Sequence, residues 1–279
     1  MKPFTSIPGP KVYPLIGSLG SYMPFGPYNR LKYHEALADM HRQFGPIVKE
    51  QIGPEKEIVH VFDPEDIKTV YANEGPHPEI PPLQETTAIY RAQKKMSLGI
   101  GNTNGDDWYR LRSNSHQRML RPKELHRYIP GLDRVTSDFA QRIEAVRYGV
   151  SGGEVTDLRT EVGLWNMEAS GLLVFDKRIG CLENGSDGEA LGRQMVAANA
   201  TVFKLAGILK LSTPIYKHVT TPKWREMVKA EDYLHSNAIS MVDEAILKVK
   251  EEVEKGTLTD ANSDRFYFLS YLLSRPELR

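Results

Sequence analysis

Beyond residue 105, apolar residues recur every three to four positions, and this period predicts helices over 106–120, 123–147, 157–176, 188–211, 224–255 and 264–273. Ahead of them, residues 28–44 place Leu31, His34, Leu37, Ala38 and Met40 at helical spacing, and Gly45-Pro46 stops the run. The period then changes. Residues 47–52 and 57–62 read as two short strands joined across Gly53-Pro54, which predicts a hairpin. Asp63-Pro64-Glu65-Asp66 is a helix start, with a capping aspartate, proline at the first helical position and acids in the first turn, and it opens a helix to about residue 73. The stretch 75–83 carries four prolines and is irregular; 85–95 is a short helix and 99–105 a glycine-rich loop. Residues 1–30 are dense in proline and glycine, which predicts an extended lead-in or hinge. The expected fold is mainly α with a small N-terminal β-sheet, organised as a lead-in over 1–30 and one body over 31–279.

Composition narrows the class. Apolar residues make up 40% and charged residues 26%, as in ordinary globular proteins. Lysine plus arginine equals aspartate plus glutamate at 36 each, so no global field favours nucleic acid. The one cysteine, Cys181, excludes an internal disulfide framework. No run approaches the roughly 20 apolar residues of a membrane helix. The start MKPFTSIPGP carries no signal-peptide core and no arginine-rich amphipathic presequence.

Several motifs fail on spacing. His34-Glu35 opens like a zinc-protease signature, but the second ligand position is Ala38. The loop Gly99-Ile100-Gly101-Asn102-Thr103-Asn104-Gly105 is one residue too long for a dinucleotide fingerprint and lacks a preceding buried strand. No phosphate-binding loop and no nucleophile elbow are present. Cys181, in Gly180-Cys181-Leu182-Glu183, reads as a packed, inert thiol.

The chemistry concentrates in Asp107-Trp108-Tyr109-Arg110-Leu111-Arg112, followed by His116, Arg118, Arg121 and Lys123. Trp108 and Arg112 lie four apart and share a helix face. An indole N–H and a planar guanidinium fork together suit an anionic group at the edge of a flat ligand. The spacing alone better describes a core tryptophan with a solvated arginine stacked on it.

The surrounding sequence resembles cytochrome P450, mitochondrial branch. Trp108 and Arg112 match the WxxxR of that family's C-helix, whose tryptophan and arginine hold a haem propionate. The other matches run in order along the chain. Ile7-Pro8-Gly9-Pro10 through Pro14-Leu15-Ile16-Gly17 resembles the family's proline-rich hinge. Phe44-Gly45-Pro46-Ile47-Val48-Lys49-Glu50-Gln51-Ile52-Gly53 resembles the first strand, and Asp63-Pro64-Glu65-Asp66-Ile67 the start of the B-helix. Leu120-Arg121-Pro122 follows the C-helix, and Trp165-Asn166-Met167-Glu168-Ala169-Ser170 leading to Arg178-Ile179-Gly180-Cys181-Leu182 resembles the E-helix.

The resemblance implies haem as cofactor, with Arg91 and Ile100 beside Trp108 and Arg112. It implies a substrate pocket touched by Ile89 and Leu98, and by Phe203, Leu205 and Ile208 from a lid region. It further implies a small apolar substrate, O2, a ferredoxin-type electron donor, peripheral membrane association, no nucleic acid, and the matrix face of the mitochondrial inner membrane; with no transit peptide visible, a cytosolic location stays open. The oxygen-activating helix, the ExxR pair and the cysteine loop that ligates iron have no match in these residues, and Cys181 is not taken for that ligand. The expectation is therefore the N-terminal half of a monooxygenase, inactive by itself. The alternative is a non-catalytic helical binding or regulatory module of the same descent.

Overall fold

The computed structural model describes residues 3–53, 56–77, 79, 84–119, 121–148, 153–175, 177–256, 268–269 and 272, the side chains at 56 and 117–119 excepted. Its helices and strands in chain order are α1 (Tyr33–Phe44), β1 (Ile47–Ile52), β2 (Lys56–Val61), α2 (Pro64–Ala72), α3 (Glu85–Gln93), α4 (Gly105–Met119), α5 (Pro122–Leu125), α6 (Ile129–Tyr148), α7 (Leu158–Phe175), α8 (Asp187–Lys210) and α9 (Pro222–Glu254). The chain forms two units, Met1–Gly105 with Val202–Val228, and Asp106–Thr201 with Lys229–Arg279. The helix expected over 264–273 lies almost wholly outside the described residues.

In the first unit, β1 and β2 form the expected antiparallel hairpin, with Ile47 opposite Val61 and Ile52 opposite Lys56. Period-two alternation sends Val48, Glu50 and Ile52 inward. Val48 and Ile52 join Leu19, Tyr22, Ala36, Met40 and Leu211 in one apolar cluster. The lead-in is ordered against the other edge of β1. Lys49 N–H donates to Pro8 C=O at 2.9 Å, and Gly17 bridges Ile52. This close approach dictates glycine at two positions. A Cβ on Gly9 would lie 1.8 Å from the Lys49 carbonyl oxygen, and one on Gly17, at φ +58°, would lie 2.2 Å from that of Gln51. Asp63 caps α2 as its sequence predicts, its carboxylate accepting from Glu65 N–H at 2.9 Å.

In the second unit, α6 and α7 pack around Val135, Leu164, Ala169, Cys181 and Leu182, flanked by Leu132, Phe139, Trp165 and Leu172. The single helix expected over 123–147 is two, α5 and α6. Pro130 explains the break: it has no N–H to donate and suits the first turn of a helix, so a new helix begins there and the chain before it turns.

The second unit also buries charge. Arg142, 2% exposed at its side chain, pairs with Glu161 at 2.5 Å and Glu189 at 2.6 Å. Its remaining N–H groups reach Asn184 Oδ1 at 2.6 Å and Leu182 C=O at 3.4 Å. Arg193 closes the ring, 2.8 Å from Glu161 and 2.9 Å from Glu189. Burial alone would raise the Glu189 carboxyl; the Arg142 hydrogen bond, then the Gly185 amide and Arg193, outweigh it and hold it down at about 2. A carboxyl lowered on folding adds stability that is complete above its unfolded value near 4.5 and fades as pH falls through its folded value. We therefore expect chemical denaturation midpoints of this unit to hold from pH 7 to 5 and drop between pH 4.5 and 2. In the double variant Glu161→Gln, Glu189→Gln, that drop should shrink.

Candidate functional site

α4 begins at Gly105, at φ +60°, and its first turn carries Asp106 and Asp107, which complement the helix N-terminus. One turn on, Trp108 is half-buried and Arg112 exposed on the same face. None of residues 105–116 is fully buried. Arg110 points its charge at Asp107, 3.9 Å away. By contrast, among the described residues neither the Trp108 indole N–H nor the Arg112 guanidinium meets an acceptor. A tryptophan N–H and an arginine fork left free on one face are donors without acceptors, the arrangement that receives a carboxylate.

Arg91 sits near the end of α3 and turns back on the loop that follows. Its Nη1 donates to Leu98 C=O at 2.9 Å and Ser97 C=O at 3.3 Å. Gly99 lies so close, at φ +76°, that a Cβ there would be 2.4 Å from Arg91 Nη1. Arg91 thus shapes the loop bearing Leu98 and Ile100. Leu98 and Ile89 are half-buried, while Ile100 is exposed.

On α8 the three lid residues separate. Leu205 belongs to a buried stripe with Val202 and Leu209. Phe203, two positions earlier, falls on the opposite side and is 57% exposed. Ile208 is half-buried between them.

Cys181 is fully buried in the second unit. Burial, then the Glu168 charge beside it, pushes its thiol up to about 12, and its N–H donates to Glu168 at 2.8 Å. A thiol held neutral in this way does not fit an iron ligand, which must be a thiolate. The donor pair on α4 does fit a propionate edge.

Sequence reasoning missed the buried charges. Glu50 occupies an inward position of β1, and Glu161 and Glu168 stand seven apart on α7, whose other buried positions are Leu164, Ala169 and Gly171. An acid at a position where the period demands an apolar residue is the signal that could have found each of them.

The architecture is that of a mainly helical protein with a small antiparallel sheet near its N-terminus. The chain belongs to the cytochrome P450 family, whose model matches residues 7–277. It is 36% identical to a probable cytochrome P450 of Caenorhabditis elegans, over 99% of this chain and 54% of that protein. It is 27% identical to the mitochondrial 1,25-dihydroxyvitamin D(3) 24-hydroxylase of Mus musculus, over 92% of this chain and 48% of that protein. A mitochondrial cytochrome P450 of Drosophila melanogaster is 28% identical, over 88% of this chain and 50% of that protein. The chain spans about half the length of these relatives. Among the described residues, no helix is long and apolar enough to cross a membrane.

Proposed function

We propose that these residues form the propionate-binding and substrate-lining part of a haem-thiolate monooxygenase. The observation that carries this reading is the free donor pair on α4, at the WxxxR position of a chain in the P450 family. The haem, when bound, supplies the oxygen chemistry. Trp108 would donate its indole N–H to a propionate and Arg112 its guanidinium fork, fixing the porphyrin edge against α4. Arg91 holds the Ser97–Gly99 backbone that carries Leu98 and Ile100. The substrate is a small apolar molecule meeting Ile89, Leu98 and the exposed face of α8 at Phe203. Electrons come from a ferredoxin-type donor, and the location is mitochondrial, in keeping with the relatives' names. These 279 residues do not catalyse by themselves, because their one cysteine is a buried neutral thiol.

Iron-free protoporphyrin IX tests the clamp without needing an iron ligand. Titrated into the chain, it should bind about tenfold to a hundredfold more tightly than its dimethyl ester, the worth of a charge-assisted hydrogen bond or two. Arg112→Ala should bring the free acid down to the ester's affinity, and Trp108→Phe should cost a smaller part. Equal affinities for acid and ester, or no effect of Arg112→Ala, would leave the non-catalytic module as the better account.

A further inference from the structure

Asn184, whose side-chain oxygen meets Arg142, is followed by Gly185, and both residues are exposed. Asparagine before glycine is prone to cyclise, because no Cβ on the second residue hinders its nitrogen from reaching the asparagine side chain. The Gly185 nitrogen loses its proton to hydroxide and bonds to Asn184 Cγ. The Cγ–Nδ2 bond breaks, and ammonia leaves with a proton taken from water. Water then adds to either carbonyl of the five-membered ring, which opens to aspartate or to isoaspartate. The reaction needs water alone, so the local geometry sets its rate.

Three contacts here hold the reacting atoms apart. Gly185, at φ +73°, is the second central residue of a turn closed by Ser186 N–H on Glu183 C=O at 3.2 Å. With Asn184 at negative φ this is a type II turn. Its middle peptide stands roughly a third of a turn away from the orientation that brings the Gly185 nitrogen onto Cγ. The Gly185 N–H donates to the Glu189 carboxylate at 2.7 Å, and the negative charge beside it makes the proton harder to remove. The Asn184 side chain is fixed by Arg142 Nη1 at 2.6 Å. Ser186 caps α8 and accepts from Glu189 N–H at 3.0 Å, which sets Glu189 over the Gly185 amide. Helix capping explains the Ser186–Glu189 pair. It does not require that the neighbouring asparagine be tied to the same buried arginine that pairs with Glu189 at 2.6 Å.

We propose that Asn184-Gly185 is a deamidation site that the Arg142 ring holds shut, so that opening of the ring is recorded as a covalent change. Arg142 binds Asn184 and Glu189 at once, so its release frees both reacting groups together. Isoaspartate routes the main chain through its side chain, one methylene longer. It also brings a carboxylate to a ring in which Arg142 and Arg193 already balance Glu161 and Glu189. The turn can no longer present the same oxygen to Arg142, and the ring does not close again.

The test is peptide mapping by mass spectrometry of the 279-residue chain held in mildly alkaline buffer. Asn104-Gly105, the chain's other such pair, is the reference. In the folded chain Asn184 should convert about a hundredfold more slowly than in urea, since two charge-assisted hydrogen bonds must open and each is worth about tenfold. Glu189→Ala should raise the Asn184 rate about tenfold, with the Asn104 rate and helical circular dichroism unchanged. Arg142→Met should raise it further. Equal Asn184 rates in buffer and in urea, no rise in Glu189→Ala, or a rise shared by Asn104 would each overturn the proposal. In an Asn104→Gln background, chain converted in urea and returned to buffer should unfold at lower denaturant than unconverted chain; equal midpoints would show that the ring closes again and overturn the permanent record.

Discussion

Replacing Arg142 by methionine should destabilise the second unit by about 3–5 kcal/mol, the usual cost of removing one partner from a buried ion pair. Methionine keeps most of the stem's volume, so little of the loss comes from packing. What remains is Glu161, 5% exposed at its side chain, with only the half-exposed Arg193 to balance it, and Glu189 with one fewer donor. Asn184 and the Leu182 carbonyl lose their donor as well. Arg142 joins α6 to α7, to the turn at 182–184 and to α8, so its loss should loosen all four together. Urea denaturation followed by helical circular dichroism measures this. The companion variant, Arg142→Met with Glu161→Gln and Glu189→Gln, separates stranded charge from lost bonding and should recover a large part of the stability. A loss below about 1 kcal/mol in the single variant would mean that water reaches the carboxylates and the ring contributes little, as in surface pairs.

Glu50→Leu should cost about 2–4 kcal/mol, although it places an apolar side chain in an apolar cluster. Glu50 is fully buried and accepts from Tyr22 at 2.6 Å and from Tyr33 at 3.0 Å, with the His60 ring nitrogen also at 3.0 Å. Leucine removes the expense of burying a carboxylate, but it leaves two phenols and an imidazole without their acceptor. The Tyr22 hydroxyl, on a side chain 2% exposed, has the least access to water and should dominate the loss. Adding Tyr22→Phe to Glu50→Leu should therefore restore more stability than adding Tyr33→Phe. Thermal melts of the three variants give the order, and the reverse order would place the main cost at Tyr33.

Much of this protein follows from local physics that one stretch of chain contains by itself. The period of apolar residues specifies α7, α8 and α9. Alternation with Gly53-Pro54 specifies the hairpin, and Asp63-Pro64 the start of α2. The pairing of Trp108 with Arg112 follows from four-residue spacing on any helix. The properties that distinguish this chain depend on residues far apart. Glu50 is an ordinary strand glutamate until Tyr22, Tyr33 and His60 arrive from three other segments. Arg142 is an ordinary helix arginine until Glu161 and Glu189 enclose it. Arg91 carries a charge suited to an anion, and only the return of residues 97–99 brings carbonyl oxygens to its Nη1. A local rule acts within a few residues. Burial, charge pairing and cavities are sums over neighbours in space, and only the folded chain supplies those neighbours.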